Sequence, residues 1–191
     1  MPLARSTSHF TGVDEQTAML TNYVEAATRL GVPATTVEGS WLSVADTTPV
    51  SDVVICHHVV YNVGDISTFL RALTMHAARR VIIELPQTHP TSPFNPLWKH
   101  FWNIERPSHP TAVDFLYVVR ELGYDPTTES FRRPPRKANL DSEDYIAFVR
   151  RRLCLPASRD SEIAAKIASM GSLNNGEIVT VWWAGSAGHS A

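Results

Sequence analysis

No apolar run in this sequence is long enough to cross a bilayer, and Met1 to Ser8 is polar where a signal peptide needs an apolar core. On that pattern neither a membrane-spanning helix nor a secretory leader is expected; the expected location is the cytoplasm, with no membrane partner. Cysteine is scarce. Cys56 and Cys154 stand far apart, with no CxxC or histidine spacing, which argues against a disulfide framework and against a metal site. Both are expected to be buried free thiols. Glycine is scarce too: Gly12 is the only one before Gly31, so the glycine fingerprint of a dinucleotide enzyme is missing. Neither sign of charge dominates. The net charge of -2 and 19% charged residues give no general attraction to nucleic acid, which is not an expected partner. There is no internal repeat and no composition break of the kind that separates domains, so residues 1–191 are expected to form a single one.

What is present is an alternation of short apolar runs with helical periodicities. Asp52-Val53-Val54-Ile55-Cys56 reads as a strand buried on both faces. Asp65 to Arg79 follows as a helix with Ile66, Phe69, Leu70, Leu73 and Ala77 on one side and Asp65 as its cap, and Arg80 to Leu85 as the next strand. Such a strand-helix-strand unit implies a parallel sheet covered by helices. Upstream, His9 to Asp14 reads as a strand, Glu15 to Leu30 as a helix with Ala18, Met19, Tyr23, Ala26, Ala27 and Leu30 inward, and Ala34 to Glu38 as a second strand. Residues 86–110 carry six prolines among Phe94, Leu97, Trp98, Phe101 and Trp102, an insert with the look of a lid. Helices are expected over Thr111 to Gly123, Tyr145 to Leu153 and Ser158 to Met170, with strands within Tyr124 to Arg133 and over Glu177 to Trp183; residues 184–191 are a fraying tail.

Val13-Asp14 followed by Met19-Leu20, Gly39-Ser40-Trp41 after the next strand, Asp52 to Val59, and a closing Val-Thr-Val-Trp-Trp strand resemble, in that order, the class I S-adenosylmethionine-dependent methyltransferases. The resemblance spans roughly the whole chain. It implies a Rossmann-like, doubly wound, mostly parallel α/β sheet with an antiparallel last strand. The family's first strand and glycine-rich loop have no counterpart, so the expected sheet lacks its central strand. That departure reads either as a chain truncated at its N-terminus or as a relative that no longer binds cofactor. The implied function is methyl transfer from S-adenosylmethionine to a small-molecule acceptor. The alternative is a non-catalytic Rossmann-like remnant that binds a partner or associates with itself through exposed sheet edges.

The resemblance implies a cofactor set of Asp14, Glu15, Ser40, Trp41, Cys56 and His57. A carboxylate at a strand's carboxyl end can accept from two ribose hydroxyls, though an Asp before a helix also serves as a cap. Glu15 would lie beside the ribose, or simply favour the helix dipole. Ser40 would accept from the adenine amino group with Trp41 against its ring; the plainer alternative is a turn residue and a core anchor. Cys56 and His57 would line the sulfonium region. His57 and His58 point to opposite faces of a strand and cannot easily share an ion. His57 or Tyr61 can be written as a base toward an acceptor, but methyl transfer also proceeds by positioning alone, and no catalytic residue is assigned. Trp98, Phe101 and Trp102 would wall an acceptor site or pack the insert, and the basic run from Arg132 to Lys137 is read as solvated surface.

Overall fold

The alternation of apolar runs and amphipathic segments becomes six strands and seven α-helices among the described residues of a computed structural model, which are 6–133, 142–170 and 176–186. The chain divides into two compact units, Met1–Val54 with Val63–Val81 and Ala184–Ala191, and Ile55–Asn62 with Ile82–Trp183.

In the first unit β1 (Phe10–Asp14) and β2 (Ala34–Glu38) form a two-stranded parallel sheet, with Asp14 paired to Glu38 in register. The crossover between them is α1 (Thr17–Arg29), which buries Leu20 and Ala27. Ala18, Met19 and Leu30, expected inward, are exposed, Met19 by 51%. The helix begins at Thr17, and Tyr23 lies over Gly12, where an added Cβ would sit 2.7 Å from the ring. The short α2 (Trp41–Val44) leads toward β3 (Ser51–His57), and α3 (Ile66–Met75) is capped by Asp65, which accepts from the Thr68 amide. The helix stops four residues before its expected end. Ala77 to Arg80 instead open β4 (Ala77–Pro86), because Gly185 and Ser186 donate to the carbonyls of Arg79 and Thr74 and draw that segment into the ladder. Gly185 is required there: a Cβ would run into the Ala77 carbonyl oxygen.

A four-stranded sheet is ordered β3-β4-β6-β5, with β5 at Thr127–Arg132 and β6 at Glu177–Ala184. Ser51 donates to His76 at one end of the β3 and β4 pair and His58 to Glu84 at the other, so those strands run parallel. Gln87 donates to Glu177, and β5 pairs antiparallel with β6. The expected α/β sheet with an antiparallel last strand is therefore present. β3 is its edge, and this corrects the expectation of a strand buried on both faces: Val53 and Ile55 are 41% and 39% exposed because no described strand covers their open side.

The insert is structural. Its helix α4 (Asn95–Trp102), with Phe94 as N-cap, packs with α6 (Glu143–Arg152) and α7 (Asp160–Met170). Phe94, Leu97, Ile146, Val149, Leu153 and Ile163 form the buried cluster between them, with Trp98 and Phe101 half-buried against it. Between insert and β5, α5 (Ala112–Glu121) opens with a capping box of Thr111 and Asp114. Among the described residues no helix is long and apolar enough to cross a membrane. Of the predicted features, Arg136, Lys137 and the tail from residue 187 fall outside the described residues.

Candidate functional site

In the first unit, the carboxyl ends of β1 and β2 lie side by side, and the Gly39 amide donates to the Asp14 carbonyl at 3.0 Å. Asp14 is the last residue of β1 rather than the cap of α1; the N-cap is Gln16. Its Oδ1 accepts from the Gln16 amide at 2.8 Å, an Asx turn that fixes the carboxylate at the strand end, while Oδ2 has no partner among the described residues. Glu15 is exposed, and Glu38 accepts from Thr17 at 3.0 Å. Gly39 has φ +149°, and a Cβ there would collide with Val44 Cγ1, so α2 folds back closely over the turn. Ser40 is the N-cap of α2, its hydroxyl donating to Ser43 Oγ at 2.9 Å. Trp41 meets His76 edge-on at 4.9 Å, and its buried indole N–H has no partner among the described residues. An open groove of about 400 Å³ between α1 and β2 is lined by Thr17, Leu20, Thr21, Thr36 and Glu38 and includes none of the six expected cofactor residues.

In the second unit, Cys56 is buried, and burial pushes its thiol up to about 12. His57 ends β3 in solvent. His58 leaves the strand with φ +60° and meets Glu84 of β4 and Arg133, which follows β5. Arg133 Nη2 donates to Glu84 Oε1 at 2.5 Å and to His58 Nε2 at 3.0 Å. Burial, then the neighbouring Arg133 charge, hold the His58 imidazole below its ordinary range against an opposing pull from Glu84. The Tyr61 hydroxyl donates to the Pro86 carbonyl at 2.7 Å, and burial, with Asp114 in addition, drives its phenol well above the usual range. Tyr61 meets His89 edge-on at 5.4 Å, and His89 Nδ1 accepts from the Thr91 amide at 3.1 Å.

No family model and no curated protein matches the sequence. Solved structures do. A cyclopropane-fatty-acyl-phospholipid synthase-like protein of Lactobacillus casei superposes with a TM-score of 0.56 at 14% identity, over 96% of this chain and 78% of that one. A candidate methyltransferase of Bacillus halodurans gives 0.53 at 13%, over 95% and 85%. The magnesium protoporphyrin IX methyltransferase of Synechocystis, solved with SAH bound, gives 0.53 at 19%, over 71% and 62%. The fold is that of the class I S-adenosylmethionine-dependent methyltransferases.

On this methyltransferase fold the six expected cofactor residues divide between the two units. Asp14, Glu15, Ser40 and Trp41 belong to the first, where they cluster around the paired strand ends; Cys56 and His57 belong to the second. Cys154, expected buried, is exposed at φ +55° in the turn after α6, since the buried positions there are taken by Leu153 and Leu155 on either side. Tyr61 is removed as a base, because its proton is committed to a carbonyl and its phenol is harder to ionise than usual. Arg133, read as solvated surface, is exposed and is also ion-paired with Glu84. Glu84, Arg133 and His89 were missed by sequence reasoning. The signal for Glu84 was available: it is the single charge within Val81-Ile82-Ile83-Glu84-Leu85, and a half-buried carboxylate in such a strand requires a partner.

Proposed function

We propose that this chain is an S-adenosylmethionine-dependent methyltransferase domain acting on a small-molecule acceptor. The observation that carries the reading is the unpartnered Oδ2 of Asp14, on a carboxylate fixed at the carboxyl end of β1 by the Gln16 amide. Open α/β sheets bind ligands beyond the carboxyl ends of their strands, and a carboxylate held there accepts from vicinal ribose hydroxyls. Glu15 and Ser40 would border the adenosyl group, with the Trp41 ring against the adenine.

When bound, the cofactor supplies the electrophilic methyl group. The residues of this chain need only hold donor and acceptor in line, since positioning accounts for much of the acceleration in such displacements.

Calorimetric titration of S-adenosylmethionine into the full chain tests the reading. Saturable binding is expected, reduced at least tenfold by Asp14→Ala. Asp14→Asn keeps an oxygen for the Gln16 amide and controls for loss of the turn; it is expected to bind weakly with an unchanged melting temperature. Equal affinity in wild type and Asp14→Ala would sink the ribose assignment, and no heat with wild type would sink the cofactor reading.

A further inference from the structure

We propose that His58, Glu84 and Arg133 form a receiving site for a carboxylate-bearing small molecule, in which the guanidinium binds the carboxylate and the imidazole takes up one proton from solvent.

Three features of the cluster support it. Arg133 is anchored on one side only. Its backbone amide donates to the Gly176 carbonyl at 2.8 Å, and Nη2 alone makes both side-chain contacts, to Glu84 and His58. Nε and Nη1 have no partner among the described residues, and the side chain is 49% exposed. Both two-donor edges of a guanidinium, Nη1–Nη2 and Nε–Nη2, include Nη2, so the edge on the His58 side matches the planar, two-oxygen geometry of a carboxylate once His58 ceases to accept from Nη2. The cluster sits at the carboxyl ends of β3 and β5 and beside that of β4, where ligands of open sheets enter.

Charge completes the case. The Glu84 and Arg133 charges cancel, and His58 Nε2 accepts from Arg133, so the ring is neutral with its proton on the other nitrogen. An incoming anion leaves the cluster one charge negative. His58 lies 3.3 Å from Glu84 Oε1, so on protonation its Nε2 becomes a donor to Glu84 and gives up the Arg133 hydrogen to the ligand. Arg133 from the end of β5, Glu84 from β4 and His57 from its own strand are the groups that face His58. As a statement about the methyl acceptor this inference rests on the proposed function; as an anion site it stands without it.

The test therefore uses neither cofactor nor turnover. The His58 C2 proton is followed by NMR through a pH titration of the full chain, free and with benzoate, and benzoate affinity is measured at several pH values. Expected are saturable binding that tightens as pH falls through the His58 titration, and a His58 titration displaced upward by saturating benzoate. Arg133→Gln should raise the His58 titration by itself and weaken benzoate at least tenfold; Arg133→Lys, which keeps the charge but not the fork, should weaken benzoate while leaving His58 depressed. His58→Asn should still bind, without the pH dependence. An identical His58 titration with and without benzoate, or undiminished binding by Arg133→Lys, would overturn the site. Tighter binding of inorganic phosphate than of benzoate would overturn the choice of carboxylate.

Discussion

Cys56 gives the sharpest quantitative check on the packing at the end of β3. Its thiol is buried at the end of β3, and burial pushes it up to about 12 against a smaller opposing contribution from the Val59 amide. At pH 8 a thiol in that range is ionised roughly once in 10⁴ molecules, whereas an ordinary exposed thiol near 8.5 is roughly one quarter thiolate. Ionisation alone therefore slows labelling by about 10³-fold, before any steric exclusion. Cys154 is exposed, so Cys154→Ser isolates the slow thiol. Reaction of that variant with a chromogenic disulfide at pH 8 should be at least 10³ slower in buffer than in concentrated guanidinium. The native rate should climb about tenfold for each pH unit, with no plateau up to pH 10. A native rate within tenfold of the denatured one, or a plateau near pH 8.5, would refute the reasoning. It would mean that β3 opens to solvent and that Cys56 is a reactive thiol, not an inert wall.

Asp114 is held down to about 2, first by the Thr111 hydroxyl, then by His109 and the Thr111 amide. Because its folded value lies below its ordinary one, the stability it adds is complete above about pH 4 and disappears as pH falls through 2. Melting temperatures of wild type and Asp114→Asn should therefore differ at neutral pH and converge at pH 2; a gap that persists in acid would contradict the capping-box account. Gly185→Ala should destabilise by about 1–3 kcal/mol, since the new methyl must displace the Ala77 backbone. Chemical denaturation with an unchanged midpoint would contradict that close approach.

Much of the chain was readable because local patterns and final structure agree. Ala34 to Glu38 is the observed β2 to the residue, and Asp65 caps α3 as its position before an amphipathic run requires. The misreadings have a common source. The apolar, β-branched run from Val53 to Ile55 cannot by itself report whether another strand lies beside it, and helical periodicity through Ala77 cannot anticipate a ladder contributed by Gly185, more than a hundred residues later. The insert aromatics were ambiguous between ligand wall and core until α6 and α7 supplied the surfaces that Phe94 and Leu97 fill.

The sequence by itself determined the fold class, the position of Asp14 at a strand end and the presence of buried apolar elements, because those depend on residue type and periodicity over short spans. Tertiary structure alone decided that Arg133 crosses to Glu84 and His58, that Tyr61 is spent on a carbonyl, and that β3 is an edge. These depend on which distant segments meet. The charge state and hydrogen-bonding capacity of a side chain are set by its neighbours in space, and no local pattern encodes them.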